Sequence, residues 1–382
     1  MERDLYDADH EAFRATCRAF LDKHVVPFHK QWEEDGIVDR GIWLEAGKQG
    51  LLGLDVPEEY GGGGVHDLVT SIAIIEELAW GCSAMAGCIG GGGFFAGPIV
   101  ALGTAEQRER WIPPLCSPTD PVIGALATTE PSAGSDAAAM KTSATRADGG
   151  YVLNGQKTWI SCAPTADQYV VFAQTKPGSR SKGITAFVLL RGDEGFTIGK
   201  KIPKMGARCY PAAELFFEDC FVPDDRRIGE EGEGFYGLMR WFDVTRVALG
   251  ANGVGIGRAA LEFAVEYAKE REQFGQKIHE FQAVSFRLVD AKMKLDQARL
   301  LTYHAAQLAD AGKPFAVEAA QAKLAGSEAA WFATWAASMT LGGYSYSREY
   351  PVERWLRAAK LEELYEGTSD IQRLIIGRSL FR

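Results

Sequence analysis

The order of helical and β-prone segments along the chain restricts its fold more than any other sequence feature. Apolar residues recur at helical spacing up to about residue 120. Short runs rich in β-branched and aromatic residues replace this pattern over 121–220. Helical periodicity then returns to the end of the chain, in three long alanine-rich amphipathic segments: 235–269, 281–311 and 317–341.

This segregated order predicts a mainly α protein with a central β domain. We expect an N-terminal helical domain over 1–120, a middle β-barrel or sandwich domain over 121–232, and a C-terminal four-helix bundle over 233–382. Strands alternating with helices, as in a doubly wound α/β sheet, are not indicated. Within the β domain, Asn154-Gly155 predicts a two-residue hairpin turn, because both residues tolerate positive φ.

Composition excludes several classes of function. With 41 basic and 51 acidic residues, the chain has a formal charge of −10, which argues against binding to nucleic acid or anionic lipid. No segment is apolar enough to insert into a membrane, and the acidic N-terminus resembles no targeting peptide, so we expect a cytoplasmic protein. The seven cysteines and six histidines show no metal-ligand spacing, so no metal is expected.

One loop carries a candidate ligand site. In 125–136, a β-prone run leads into the small and hydroxylated residues Thr-Thr-Glu-Pro-Ser-Ala-Gly-Ser-Asp. Such a loop brings backbone N–H groups and hydroxyls close to a flat polar heterocycle, although a plain turn would have the same composition. Trp159 and Ser161, two residues apart on a β-prone segment, add an aromatic plane and a hydroxyl on one face.

These motifs resemble those of the acyl-CoA dehydrogenase family, and the similarity covers nearly the whole chain. The motif T-E-P-x-A-G-S-D is followed by G-x-K-x-W-I-S, and then by E-R-x-x-F-G with a later Gln in the C-terminal region. L-G-G and Y-E-G-T-S-D-I-Q-R complete the series near the end. The resemblance implies the same three-part fold, FAD as cofactor, and dehydrogenation between the α and β carbons of an acyl-CoA thioester.

The resemblance also assigns cofactor contacts position by position. It implies that one group of residues surrounds the flavin ring: Leu126, Thr128, Thr129, Gly134, Ser135, Trp159 and Ser161. A second group would complete the site, with Arg271 and Phe274 reaching the FAD of a neighbouring subunit: Arg271, Phe274, Gln282, Gly342, Gly343, Thr368 and Asp370. The active form should therefore be a homo-oligomer, as in the tetrameric members of the family.

Glu366 occupies the position of the family's catalytic base, which takes a proton from the α-carbon of the thioester. Family members that place the base elsewhere do so at the position of Thr245, and a threonine cannot serve. The resemblance implies substrate contacts from five residues: Ser135, Asp243, Arg246, Tyr365 and Gly367. A purely structural interpretation of the same segment is a helix over 352–365 that ends with Gly367 in a left-handed cap, before a new helix begins at Thr368 or Ser369.

Three positions depart from the family pattern: Met339, Ser345 and Ala358. Met339 cannot donate amide hydrogen bonds, so one FAD contact is lost or replaced. The glycine-rich segment 87–95 falls near the family's acyl pocket, and its missing side chains predict room for a long or bulky acyl group; packing by neighbouring phenylalanines is the alternative.

The resemblance implies electron transfer flavoprotein as the electron acceptor. It leaves open the same reaction on an acyl carrier protein thioester, the reverse enoyl reduction, and an oxygen-using oxidase or monooxygenase of the same fold.

Overall fold

The computed structural model describes residues 6–65, 67–89 and 92–381, and they form the predicted helix, sheet and helix arrangement. Seven α-helices make up the first part: α1 (Ala8–His24), α2 (His29–Asp35), α3 (Gly41–Lys48), α4 (Leu68–Gly81), α5 (Ser83–Cys88), α6 (Gly92–Leu102) and α7 (Ala105–Trp111). Helix α1 begins with a capping box, in which the Asp7 carboxylate accepts from two backbone N–H groups. Of the glycine-rich segment 87–95, Gly90 and Gly91 lie outside the described residues.

The middle part is one sheet of eight strands: β1 (Gly124–Ala127), β2 (Ser143–Ala147), β3 (Gly150–Ser161), β4 (Gln168–Gln174), β5 (Ile184–Leu190), β6 (Phe196–Lys201), β7 (Ala212–Pro223) and β8 (Arg227–Ile228). The main path runs β6-β7-β3-β2-β4-β5-β8, and β1 pairs in parallel with β4. Both β4 and β5 are covered on both faces, which explains their continuous apolar sequences.

The hairpin predicted at Asn154-Gly155 is wrong. Strand β3 continues through both residues and pairs with β7 on either side of a register shift. The turn lies instead at Asp148-Gly149, between β2 and β3, where Gly149 has φ of 71°. Asp-Gly is an equally good hairpin signal, so the tertiary pairing of β3 with β7 decided between two locally similar candidates.

The C-terminal part contains five helices and a small two-stranded ribbon: α8 (Gly234–Glu270), β9 (Glu272–Gln273), β10 (Gln276–Lys277), α9 (Gln282–Asp310), α10 (Ala316–Leu341), α11 (Val352–Glu362) and α12 (Ser369–Leu380). Small residues allow α8 and α10 to approach closely. A Cβ added at Gly253 would lie 2.5 Å from the backbone oxygen of Gly326. Since the backbones of α8 and α10 are in contact at this point, only glycine fits at Gly253.

Helix α11 is shorter than predicted. It ends at Glu362, whereas the sequence suggested 352–365. Gly367 does take a left-handed conformation, and Thr368 caps α12 by accepting from Ile371 N at 3.3 Å. The residues 363–368 therefore form a connection between two helices, which is where Glu366 lies.

A buried ion-pair network joins the first helical part to the bundle. Glu76 and Glu77 on α4 are both almost fully buried. Arg258 on α8 donates to Glu76 Oε1 and Glu77 Oε2 at 2.7 Å each, and Arg299 on α9 donates to Glu76. Removal of one partner would leave a buried charge uncompensated, so this network fixes α4 against α8. In the described residues, no helix is both long and apolar enough to cross a membrane.

Candidate active site

The connection between α11 and α12 holds Glu366 in an unusual backbone conformation. Glu366 has φ of 54° and Gly367 has φ of 90°. The Lys323 ammonium and the Gln372 side-chain amide donate to the Gly367 carbonyl at 2.9 and 2.8 Å. A left-handed conformation at a non-glycine residue costs about 1–3 kcal/mol and persists only where its surroundings enforce it. These two hydrogen bonds supply that enforcement and so orient the Glu366 side chain.

The Glu366 carboxyl is enclosed by protein and contacts α8. The Thr245 hydroxyl donates to its Oε2 at 2.5 Å. Burial raises the pKa of Glu366, while the Thr245 hydrogen bond and the charges of Arg246 and Lys323 act to lower it. A carboxylate with a raised pKa and a fixed position suits proton abstraction from carbon.

A largely apolar cavity of about 520 Å³ is lined by residues next to this carboxyl, although Glu366 itself is not among the lining residues. Thr245, which bonds the Glu366 carboxyl, and Tyr365, its neighbour in the chain, both line the cavity. Helices α4 and α8 provide most of the apolar wall: Leu68, Ile74, Ile75, Leu78, Val244, Ala248 and Leu249. The cavity places Glu366 at the edge of a space that fits a small apolar ligand.

A second buried carboxyl, which the sequence did not reveal as a candidate, lies in the same wall. Glu362 accepts from Asn252 Nδ2 at 2.9 Å and from the Tyr365 hydroxyl at 3.0 Å. Burial raises the pKa of Glu362 to about 7, opposed by those two hydrogen bonds and by Lys323. Burial also lowers the pKa of Lys323 to about 8. Its position four residues before Glu366 is the one sequence signal that could have identified Glu362.

The two segments predicted to surround a flavin ring lie side by side in the middle part. Thr158 N donates to the Thr129 carbonyl at 2.9 Å, which joins the loop after β1 to β3. The buried Lys157 ammonium donates to the Thr128 carbonyl at 3.1 Å and to Glu130 Oε1 at 2.8 Å. The sequence analysis gave no role to Lys157 or Glu130, although both stand within the motifs that carried the resemblance.

The aromatic plane of Trp159 faces outward from this region. Trp159 has φ of 61° and is 57% exposed, whereas the next residue, Ile160, is buried. Ser161 ends β3 opposite Ala212 and is partly exposed, and Leu126 lies in β1 of the same sheet. The structure thus brings together the ring-facing residues expected from the sequence.

The remaining substrate candidates lie at the surface and on α8. Gly134 and Ser135 are exposed, and nothing lies within 4 Å of a Cβ added at Gly134. Asp243 accepts from Arg246 Nη1 at 2.6 Å, and burial raises the pKa of Asp243 despite that neighbour. The buried Nε of Arg246 has no hydrogen-bond partner among the described residues. It is therefore available to a ligand.

The second group of predicted cofactor residues lies apart from the first. Arg271, Gly342 and Gly343 line a cleft of about 550 Å³ at the end of the bundle, and no residue of this cleft lines the Glu366 cavity. Phe274 is 95% exposed, with φ of 53°, and Gln282 is also exposed. Thr368 and Asp370 belong to neither cavity wall and lie at the start of α12, next to Glu366 in the chain.

The three departures from the family pattern have different environments. Met339 is half-exposed on α10, and Ala358 is buried on α11. Ser345 is buried, and its hydroxyl lies 2.8 Å both from the Ser338 hydroxyl and from the Gly342 carbonyl. Ser345 therefore stabilises the turn that presents Gly342 and Gly343.

Family models match almost the whole chain. The acyl-CoA dehydrogenase N-terminal domain matches residues 7–119, the middle domain matches 125–220, and the C-terminal domain matches 232–381. The chain is 41% identical to the mitochondrial short-chain specific acyl-CoA dehydrogenase of Rattus norvegicus, over 98% of this chain and 90% of the relative.

Solved structures agree over the full length. Butyryl-CoA dehydrogenase from Megasphaera elsdenii superimposes with a TM-score of 0.95 at 40% identity, covering 100% of both chains. A chain in a structure described as the electron transferring flavoprotein of Acidaminococcus fermentans gives 0.94 at 39% identity, again covering 100% of both. A prolyl acyl carrier protein oxidase gives 0.92 at 31% identity, covering 98% of this chain and 99% of that one. The chain therefore belongs to the acyl-CoA dehydrogenase family of oxidoreductases, as its motifs predicted.

Proposed function

We propose that this protein converts an acyl-CoA thioester to the trans-2-enoyl-CoA, with Glu366 as the base and FAD as the cofactor. The observation that carries this proposal is the Glu366 carboxyl, which is held by Thr245 at 2.5 Å, has a pKa raised by burial, and lies beside an apolar cavity of about 520 Å³. Few structural reasons exist to place a strained, enclosed carboxyl at a cavity edge.

The chain offers groups that fit FAD. Thr129, Trp159 and Ser161 would hold the flavin ring, because they present a partly exposed aromatic plane and two hydroxyls on adjoining segments. When bound, FAD supplies the acceptor for the hydride that leaves the β-carbon. The buried ion pair of Lys157 and Glu130 holds the loop after β1 against β3.

Residues of the chain itself carry out the removal of the α-proton. Glu366 takes the α-proton, and a substrate that displaces water from the cavity favours the neutral form of its carboxyl further. Thr245 orients the carboxylate before transfer. The charges of Arg246 and Lys323 keep a fraction of Glu366 ionised, since both act to lower its pKa.

The cavity supports an acyl group longer or bulkier than butyryl. It runs from Thr245 and Tyr365 to Leu68 and Phe315, a path that crosses the helical part. Gly87 contributes to the wall beside Tyr210, and a Cβ there would lie 2.7 Å from the tyrosine ring. The relatives from Rattus norvegicus and Megasphaera elsdenii are named for short-chain and butyryl substrates, so a preference of this chain for longer acyl groups would distinguish it from them.

A homotetramer is proposed, because Arg271, Gly342 and Gly343 line a cleft at the end of the bundle to which none of the residues expected around the flavin ring contributes. Arg271 and Phe274 are exposed at the end of the bundle, where they can reach FAD bound to another subunit. Helix α9 also exposes apolar side chains at helical spacing: Phe286, Val289, Met293 and Leu300. Such a stripe is typical of a helix that packs against a second copy.

Electron transfer flavoprotein is the proposed electron acceptor. We also propose a cytoplasmic location. The proposed domains are 1–120, 121–232 and 233–382. The structure described as an electron transferring flavoprotein supports the choice of acceptor. The likeness to a prolyl acyl carrier protein oxidase keeps a carrier-bound acyl group and oxygen as alternatives. Enoyl reduction, the reverse reaction, would use the same residues.

Anaerobic titration of the purified yellow protein tests the proposal. Acyl-CoA thioesters of increasing chain length are added, and the loss of flavin absorbance is followed. We expect bleaching by thioesters longer than butyryl-CoA at low concentration. Bleaching only by carrier-bound thioesters, or immediate return of colour in air, would favour the alternatives; no bleaching by any thioester would contradict the proposal.

A further inference from the structure

Three potential metal ligands from distant parts of the sequence meet in the interior. His29 begins α2, Cys82 lies between α4 and α5, and Cys209 lies in the segment between β6 and β7. All three are buried, and one ligand atom from each lies within 4.8 Å of the others. In the described part of the chain, no other cluster of three or more His, Cys, Asp or Glu residues meets that criterion.

The separation of the two sulfurs matches an edge of a tetrahedral zinc site. Cys82 Sγ and Cys209 Sγ are 3.9 Å apart. With Zn–S bonds of about 2.3 Å, two thiolates at tetrahedral corners lie about 3.8 Å from each other. A disulfide has a sulfur separation of about 2.0 Å, and both cysteines are free thiols here.

Two buried polar atoms next to the sulfurs lack partners. His29 Nδ1 and Glu33 Oε2 have no hydrogen-bond partner among the described residues. Both residues are 4% exposed. An atom of this kind costs about 1–3 kcal/mol when it is left unsatisfied in the interior, and coordination of a metal through His29 Nδ1 would satisfy the imidazole.

The Glu33 carboxylate supports the cluster from outside it. Its Oε1 accepts from Cys209 N at 3.0 Å, which fixes the backbone of that cysteine. Its Oε2 forms ion pairs with Arg357 at 3.6 Å and Arg208 at 3.7 Å. These arginines compensate the buried carboxylate, so the ligands are the other three side chains.

The ligand backbones are also fixed before any metal binds. Cys82 N donates to Leu78 O at 3.0 Å, and His29 N donates to Val25 O at 2.9 Å. Together with the bond from Cys209 N to Glu33, these contacts hold all three ligand positions without help from a ligand. A site preorganised in this way loses little entropy on binding.

We propose that His29, Cys82 and Cys209 bind one zinc ion. Two thiolates and one imidazole are donors that zinc accepts in protein sites. The ion would fasten the segment between β6 and β7 to the first helical part. This segment also carries Tyr210, which lines the Glu366 cavity, so the metal would help to shape that wall. The sequence analysis expected no metal, because the three ligands are too far apart in the chain to form a motif.

Metal analysis of the holoenzyme tests this site independently of the reaction. The protein, free of any histidine tag, is supplied with zinc, dialysed against EDTA and analysed by plasma mass spectrometry. We expect about one zinc per chain in the wild type and less than about one-tenth in Cys82→Ala and in Cys209→Ala. Cys116→Ser, which changes a buried thiol in another core cluster, should keep its zinc. Flavin content and circular dichroism report whether each variant folds.

A measurement on the wild type alone covers the case in which the variants do not fold. A mercurial reagent that modifies thiols should release zinc into a chromogenic chelator, in proportion to the first two thiols modified. A wild type that stays free of zinc after the zinc incubation would overturn the proposal. Equal zinc content in the wild type and the cysteine variants would also overturn it. So would a count of five free thiols, two fewer than the seven cysteines, in the denatured and unreduced protein, because two cysteines would then form a disulfide.

Discussion

The Thr245 hydroxyl donates to Glu366 Oε2 across the interface between α8 and the connection that follows α11, at 2.5 Å. This hydrogen bond favours the ionised form of a carboxyl whose burial favours the neutral form. Thr245 therefore acts on the ionisation of the carboxyl that is proposed as the base.

Replacement of Thr245 by Val should raise the pH that is needed for Glu366 to be ionised and act as a base. Loss of the hydrogen bond raises the pKa of Glu366 further, so the acidic limb of the pH profile of flavin reduction moves to higher pH. At pH values well above that limb the rate should recover toward the wild-type rate. Thr245→Ser keeps the hydroxyl and should keep the wild-type profile. Identical profiles for Thr245→Val and the wild type would show that the hydroxyl has no such role.

Replacement of Lys157 by Met should destabilise the middle part and weaken flavin retention. It leaves Glu130 buried without its ammonium partner, which typically costs about 3–5 kcal/mol. The matched control is Arg110→Met, which breaks an exposed pair with Asp225 and should cost less than about 1 kcal/mol. Urea denaturation gives both free energies of unfolding. Equal losses in the two variants would contradict the role assigned to Lys157.

Glu362 should make folding stability depend on pH. Its pKa lies at about 7 in the folded protein and near 4.5 when unfolded, so the folded state holds the proton more tightly. The stabilisation is complete below about pH 4.5 and is lost as the pH rises through 7, with a total of at most about 3 kcal/mol.

The variant Glu362→Gln lacks this titration. The free energy of unfolding of the wild type, measured relative to Glu362→Gln, should therefore decrease between pH 5 and pH 8. Urea denaturation of both proteins at these two pH values measures the change. A difference between the two proteins that stays constant with pH would refute the raised pKa.

Introduction of a charge into the exposed stripe on α9 should disrupt assembly and cofactor retention together. Met293→Glu places a carboxylate among Phe286, Val289 and Leu300, which are all exposed in the single chain. Light scattering should show smaller particles, and the flavin-to-protein absorbance ratio should fall several-fold, since Arg271 would no longer reach a neighbouring site. Lys200→Glu, an exposed charge change on β6, serves as the control. A tetramer that persists in Met293→Glu would place the interface elsewhere.

The elements with the strongest local signals could be predicted from the sequence. Helices α8, α9 and α10 begin and end within one residue of the predicted segments, because their apolar periodicity is long and uninterrupted. The hairpin at Asn154-Gly155 failed because a second turn signal, Asp148-Gly149, lay six residues away, and only the pairing of β3 with β7 distinguishes them.

The partners of the candidate site residues could not be predicted in the same way. Glu366 stood out through its motif, but the contacts of its carboxyl with Thr245, and of Gly367 with Lys323, join residues 121 and 44 positions apart. Long-range contacts of this kind leave no periodic signal in one sequence. The same reason hid the cluster of His29, Cys82 and Cys209.

The most direct test of the account is the rate of anaerobic flavin reduction in the variant Glu366→Gln. The glutamine keeps the size of the side chain and can still accept from Thr245, but it cannot take a proton from carbon. We expect normal FAD content, normal thioester binding and a reduction rate lower by about two to four orders of magnitude, as is typical for removal of a general base. Flavin reduction at the wild-type rate in Glu366→Gln would contradict the account and assign the proton to another group.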